Sequence, residues 1–216
     1  MRYDLVWQIT DGAPPIDQAF KQRPLYFAFK RLFDILVAGC LLILLIPLMC
    51  LIALLIVLDT PGPAIFRQER VGLRRRSQGG KATGEIRTFT FYKFRTMYQG
   101  NDSEIHRQYV QALIRHDEEG MAALQGEETR VRKLVNDARV TRLGHFLRRT
   151  SLDELPQFLN VLRGEMTLVG PRPPIPYEVE MYAPWHRQRL WAVPGLTGLW
   201  QVSARSSVDF DEMVRL

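Results

Sequence analysis

The chain has 216 residues, 46% of them hydrophobic, and that content excludes a disordered or collagen-like polymer. Its formal net charge is +6, which suits an anionic partner. The two cysteines, Cys40 and Cys50, lie in one apolar run, and the four histidines are scattered, so a disulfide framework and a Cys/His zinc site are excluded while oxygen-ligated Mg²⁺ stays open.

In chain order, Phe20 to Phe33 interleaves aromatics with Lys21, Arg23, Lys30 and Arg31, a mixture suited to lipid headgroups. Residues 1–34 are therefore expected to form an interfacial segment. Ile35 to Leu58 is a run of 24 residues without a charge. As a straight helix it would be about 36 Å long, enough to cross a bilayer core of about 30 Å. Pro47 sits near its middle and removes a backbone donor there. Both flanks are cationic, with Arg67, Arg70, Arg74, Arg75 and Arg76 on the far side. A spanning helix would leave one cationic flank outside, against the positive-inside tendency. A re-entrant helix–break–helix over residues 35–58 satisfies both flanks. The run is too long and too far from the start for a signal peptide.

Asp59-Thr60-Pro61-Gly62-Pro63 breaks the pattern. Ala64 to Val71 and Ile86 to Met97 read as two short strands of a hairpin, with basic Gly72 to Gly84 as the loop between them. On the second strand Arg87, Phe89, Phe91, Lys93 and Arg95 share a face. Residues 101–130 carry a net charge of −4, so the remainder carries +10. A helix from about Ser103 to His116 is expected there, then a loop with Gly120 and Gly126. Residues 101–136 together read as a mobile, solvated insert. No nucleic-acid motif spacing occurs, and an anionic lipid or a phosphorylated substrate is the better partner.

Thr150-Ser151-Leu152-Asp153-Glu154-Leu155-Pro156 opens an apolar-periodic segment ending at Gly164, with Leu155, Phe158, Leu159 and Leu162 on one helical face. Ser151 and Glu154 have capping-box spacing, and taken alone this is the simpler reading. Arg148 and Arg149 just before it, and Arg172 in Val169-Gly170-Pro171-Arg172-Pro173-Pro174, favour a phosphate site instead. A carboxylate among such cations can attack a phosphoryl group, and its neighbour can hold Mg²⁺. Met181 to Trp191 mixes tryptophan with arginine and reads as interfacial.

With these residues in view, the sequence resembles the monotopic phosphoglycosyl transferases, a bacterial sugar transferase family. The resemblance runs from about Lys30 to Leu216. It is carried by Lys30-Arg31-x-Phe33-Asp34, the apolar segment with its central proline, and Ile65-Phe66-x-Gln68-x-Arg70-Val71-Gly72. It continues through Tyr92-Lys93-Phe94-Arg95-Thr96-Met97, Arg148-x-Thr150-Ser151-Leu152-Asp153-Glu154-Leu155-Pro156-Gln157, Val169-Gly170-Pro171-Arg172-Pro173 and Pro194-Gly195-x-Thr197-Gly198-x-Trp200-Gln201-Val202. Ala204 stands where the family often has glycine before its last arginine, here Arg205.

The resemblance implies transfer of a sugar-1-phosphate from a UDP-sugar to polyprenol (undecaprenyl) phosphate, with release of UMP, at the start of polysaccharide assembly. It implies Asp153 as nucleophile through a covalent phosphosugar and Glu154 as a ligand of Mg²⁺. Lys93, Arg148, Arg172 and Arg205 become the phosphate-binding cations. It places the chain on the bacterial cytoplasmic membrane, residues 59–216 facing the cytoplasm, in contact with lipids and with other glycan-assembly enzymes, not nucleic acid. The expected fold is α+β and mainly α: the re-entrant helix, interfacial amphipathic helices and a small hairpin. The competing expectation is a non-catalytic anchored module that recruits other glycan-assembly proteins.

Overall fold

The computed structural model describes residues 23–78, 81–100, 104–125, 139–203 and 208–216. It is mainly helical, with one hairpin and a second, very short sheet.

Helix α1 runs over Pro24–Asp59 as one element of 36 residues. Proline at its first position suits a helix start, where amide hydrogens have no helical partner. The expected interfacial stretch and apolar segment are thus continuous from Pro24 onward, and hydrogen-bonded helix persists across Pro47. Most of its large apolar side chains are exposed, Ile43 at 72% and Leu58 at 73%. One stripe is buried against the body through Asp34, Ala38, Ile52 and Ile56.

Both ends of α1 are fixed. Near its start, Arg31 donates to the carbonyls of Val161 (2.6 Å) and Leu162 (2.8 Å). Asp34 accepts from the Thr167 hydroxyl (2.6 Å) and from Leu168 N–H (3.1 Å), and Lys30 donates to the same threonine. Lys30, Arg31 and Asp34 are spaced within one helical turn, so they face the same neighbour. At its end, Arg95 donates to the carbonyls of Ile56 (3.2 Å), Thr60 (2.7 Å) and Pro61, satisfying acceptors that a helix C-terminus leaves open.

Strands β1 (Ile65–Gln78) and β2 (Lys81–Phe94) form an antiparallel hairpin with Gln78 opposite Lys81. The hairpin is longer than expected, because Gly72 to Gln78 is strand and not loop. The signal was present: Gly79-Gly80 is a two-residue turn sequence, and its weight was masked by the arginines before it. Phe89 and Phe91 of β2 are buried against Ala38, Phe158, Val161 and Met166.

Helices α2 (Glu104–Ile114) and α3 (Glu118–Gln125) occupy part of the acidic segment. Tyr109, Ala112 and Met121 are buried there as a small core of their own, so the described part of the insert is packed and not simply solvated. Gly120 lies inside α3 and not in a loop. Residues 101–103 and 126–136 of the expected insert fall outside the described residues.

Helix α4 (Arg142–Thr150) is capped by the Thr141 hydroxyl, which accepts from Gly144 N–H (2.9 Å). A six-residue 3₁₀ turn, Leu152–Gln157, then leads into α5 (Phe158–Leu162), which Gly164 ends at φ 72°. A single helix from Ser151 is therefore not formed. Phe158 and Val161 turn inward, and Leu159 is exposed. Asn160 is fully buried and acts as an extra partner of β2: its Oδ1 accepts from Tyr92 N–H (3.2 Å) and its Nδ2 donates to Thr90 O (2.6 Å).

Strand β3 (Thr167–Val169) pairs in parallel with β4 (Gly195–Thr197). Between them lie α6 (Pro176–Glu180) and a 3₁₀ helix over Pro184–Trp191. His186 and Leu190 of the latter are buried, with Tyr182 just before it, so the segment read as interfacial also contributes to the core, while Trp185 is exposed. Helices α7 (Leu199–Ser203) and α8 (Phe210–Arg215) complete the described chain.

Candidate active site

The 3₁₀ turn carries Asp153 and Glu154 because of a reversal at Ser151, which adopts φ 59°, ψ 17°. A non-glycine residue in this left-handed region is strained, and such strain collects at functional sites. The conformation also removes one of the two readings of this segment. Ser151 makes no side-chain cap, and Glu154 does not reach back to it. The capping box of the sequence is not formed.

Glu154 turns instead to two cations. Lys93 Nζ donates to its Oε1 at 2.9 Å, and Arg172 Nη1 lies 3.5 Å from the same oxygen. Lys93 also donates to Asp153 Oδ2 at 3.3 Å, so one ammonium bridges two adjacent carboxylates. Asp153 is 5% exposed yet faces a cavity. Among the described residues, no further hydrogen bond is made by Asp153 Oδ1 or Glu154 Oε2.

The electrostatics follow from the burial. Desolvation pushes the Glu154 carboxyl upward, but Lys93 and Arg172 outweigh it and hold the group below the usual carboxylate range. Lys93 is lowered from its ordinary value, first by burial and then by Arg172, against the pull of the two acids. At neutral pH Glu154 is thus ionised, with Arg172 beside it.

Arg148, at the end of α4, lines the same cavity and donates from Nε to the Thr96 hydroxyl (2.9 Å). The structure therefore gathers Lys93, Arg148, Asp153, Glu154 and Arg172 around one space, from β2, the end of α4, the 3₁₀ turn that follows it and the Pro171–Pro174 loop. Arg205 lies outside the described residues. A 3₁₀ turn of six residues supplies little dipole, so the fixed cations carry the charge.

The cavity measures about 1870 Å³ and is bounded by the hairpin, the 3₁₀ turn, the Pro171–Pro174 loop and α2. Single small-molecule sites occupy about 300–1,000 Å³, so two ligands can be held together here. His106 of α2 hydrogen-bonds the Tyr177 hydroxyl (2.5 Å) at its wall. Burial, then Arg70, lowers the His106 imidazole, which favours its neutral form. These two residues were not foreseen, because nothing local marks an insert helix as a cavity wall.

The donor set suits a hard cation that keeps most of its shell as water and ligand oxygen. Among the described residues no group of three or more His, Cys, Asp or Glu side chains converges. Mg²⁺ needs only one or two carboxylates plus substrate phosphates, and Glu154 offers one oxygen not engaged by Lys93 or Arg172.

Comparison with known proteins adds an independent line. The family described as "Bacterial sugar transferase" matches residues 25–216. The chain is 43% identical over 185 residues to the "Undecaprenyl-phosphate galactose phosphotransferase" of Salmonella typhimurium, covering 86% of this chain and 34% of that protein. It is 46% identical over 156 residues to the "Galactosyl transferase CpsE" of Streptococcus agalactiae, covering 72% and 29%. It is 39% identical over 188 residues to the "Exopolysaccharide production protein ExoY" of Rhizobium meliloti, covering 87% and 74%. The chain thus spans about a third of the first two relatives and about three-quarters of the third.

Proposed function

The chain belongs to the bacterial sugar transferase family, and on that premise we propose that it transfers a sugar-1-phosphate from a UDP-sugar to polyprenol (undecaprenyl) phosphate, releasing UMP. The observation that carries the reading is the Asp153–Glu154 pair bridged by Lys93 and flanked by Arg172 in one large cavity. The relatives' names supply the substrate class, with undecaprenyl phosphate and galactose in one of them.

The chemistry proceeds in two displacements. Asp153 attacks the phosphorus that bears the sugar; an Asp–O–P bond forms, the bridging P–O bond breaks, and UMP departs with the bridging oxygen. An oxygen of the lipid phosphate then attacks the same phosphorus, forming the lipid diphosphate sugar and returning Asp153 as carboxylate. Lys93 steers Asp153 through its Oδ2 and leaves Oδ1 for attack. Lys93, Arg148 and Arg172 offset the negative charge that would otherwise repel an anionic nucleophile from a diphosphate. Arg205 joins them on this proposal. Glu154 would hold Mg²⁺ together with phosphate oxygens, and the ion would draw charge from the phosphoryl group.

The reading extends to the membrane. An apolar face as large as that of α1 is not left in water. Both ends of α1 are tied to the same body, at Thr167 and at Arg95. A straight crossing would carry one end about 54 Å from the other, to the opposite side of the bilayer. Entry and exit through one leaflet, at the cytoplasmic face where nucleotide sugars are soluble, agrees with this attachment and with the cationic flanks. Partnership with later glycan-assembly enzymes follows from the product, which remains in the membrane.

The test uses purified protein in nanodiscs with Mg²⁺ and a panel of UDP-sugars. UMP release with one donor, lost in Asp153→Asn, is the expected result. A phosphosugar mass on Asp153 in the acceptor-free sample establishes the two-step route. UMP without an adduct would replace it by direct attack of the lipid phosphate. No UMP with any donor, in this chain and in a C-terminally extended one, would leave the non-catalytic anchored module.

A further inference from the structure

Four successive carbonyls of the loop that carries Arg172 each accept one hydrogen bond, each from a different place. Pro171 O accepts from Gly195 N–H (2.8 Å) and Arg172 O from Arg189 Nη2 (3.0 Å). Pro173 O accepts from Arg70 Nη1 (2.9 Å) and Pro174 O from Val71 N–H (2.9 Å). Proline has no amide hydrogen, so this Pro-Arg-Pro-Pro loop has little of its own to donate and can be tied down only through its carbonyls. Two of the four ties are guanidinium groups buried in the body.

Arg70 is built for this task. Its Nε and Nη2 both donate to Gln68 Oε1 (3.1 and 2.8 Å), two residues back on the same face of β1. Its Cζ sits over the Phe91 ring, 5.2 Å from the centroid. With the fork held on one side and stacked below, the remaining edge is aimed at Pro173 O. Burying a charge on an amide and a carbonyl is expensive for stability, and a fold keeps such a group where it sets geometry elsewhere.

We propose that Arg70 and Arg189 are positioning residues that hold the Pro171–Pro174 loop, so that the Arg172 guanidinium stays beside Glu154. The lysine ammonium is a point donor and cannot reproduce the planar fork, so Arg→Lys removes the tie.

The kinetic arm rests on the transferase reading; the second arm does not. In the first, kcat/KM for the UDP-sugar is measured for wild type, Arg70→Lys, Arg172→Ala and the double variant. Arg70→Lys is expected to lower it about 10-fold alone and less than about 2-fold in the Arg172→Ala background, as for coupled neighbours. Losses that multiply would overturn the proposal, because Arg70 would then act on the substrate itself. In the second, hydrogen exchange is followed by mass spectrometry at the amides that report on this loop: Arg172 itself, and Val71 and Gly195, whose N–H groups donate to Pro174 O and Pro171 O. Arg70→Lys, and separately Arg189→Lys, are expected to speed exchange there and to leave α2 unchanged. Unchanged exchange at these amides overturns the proposal even if the protein shows no transferase activity. If Arg70→Lys fails to fold, Arg189→Lys, which loses the neighbouring tie, carries both measurements.

Discussion

Asp153 and Glu154 are adjacent in the chain and differ in what surrounds them. Glu154 makes close contacts with both Lys93 and Arg172, whereas Asp153 shares one ammonium and faces open space. Asp153→Asn is therefore expected to remove turnover outright. Glu154→Gln, which keeps shape and loses charge, is expected to lower kcat by about 10²–10³, the cost of losing one well-placed electrostatic group. The pH dependence has a defined sign. Glu154 is held below the usual carboxylate range in the folded protein, so its ion pairs are fully present above its unfolded value and are lost as pH falls through the lower folded one. Activity and melting temperature are expected to share an acid limb below the usual carboxylate range, and Glu154→Gln to flatten the melting limb. Lys93 titrates below an ordinary lysine, so the alkaline limb of kcat/KM is expected earlier than for a free lysine side chain. A pH–rate profile and a pH–melting series check both. The residue types of this site were legible in the sequence, and Arg148, Arg149 and Arg172 already weighed there against a plain cap, but only the structure shows that the cap is not formed. Capping-box spacing at Ser151 and Glu154 is a local pattern, and it was overridden by Lys93, about 60 residues away.

At the scale of elements, the charged residues around the apolar helix prove to be fastenings. Lys30, Arg31 and Asp34 bind the start of α1 to β3 and the end of α5, and Arg95 closes its C-terminus. Arg95→Met would leave three carbonyls without this donor. It is expected to cost about 2–4 kcal/mol, read as a drop in melting temperature in nanodiscs, since hydrogen bonds to charged groups are each worth about 1.5–3 kcal/mol and part of the loss is recovered by water. Gly195→Ala tests the β3–β4 junction, where an added Cβ would lie 2.1 Å from Gly170 N. Backbone atoms cannot yield to such a contact, so reduced yield of folded protein is expected, measured by size-exclusion recovery. The hairpin was foreseen by its β-branched and aromatic residues but at too short a length, because the three arginines after Leu73 look like a loop when pairing is unknown.

For the whole molecule, the continuous helix α1 and its two attachments make a topological prediction. Single cysteines placed near Lys30 and near Thr60, in a variant lacking Cys40 and Cys50, are expected to react with a membrane-impermeant maleimide from the same side of sealed vesicles. Labelling from opposite sides would establish a span and remove the one-leaflet arrangement. The described part of the acidic segment has a similar lesson at this scale. Its charge suggests a solvated appendage, yet Tyr109 and Val110 of α2 are buried and line the cavity.

The sequence by itself determined the long apolar segment, the hairpin, the family and the identity of the charged residues, because each is written in local composition, periodicity or ordered short motifs. The tertiary structure alone decided which charges meet. Lys93, Arg148, Asp153 and Arg172 come from four elements, and their convergence depends on Asn160 against β2, on the reversal at Ser151 and on the tied carbonyls of the proline loop. Apart from Arg148 and the Asp153–Glu154 turn, which are neighbours in the chain, these are long-range contacts between groups whose local sequence is equally consistent with caps, turns or solvated surface, and so no window of the chain contains the information that brings Lys93 and Arg172 to the two acids.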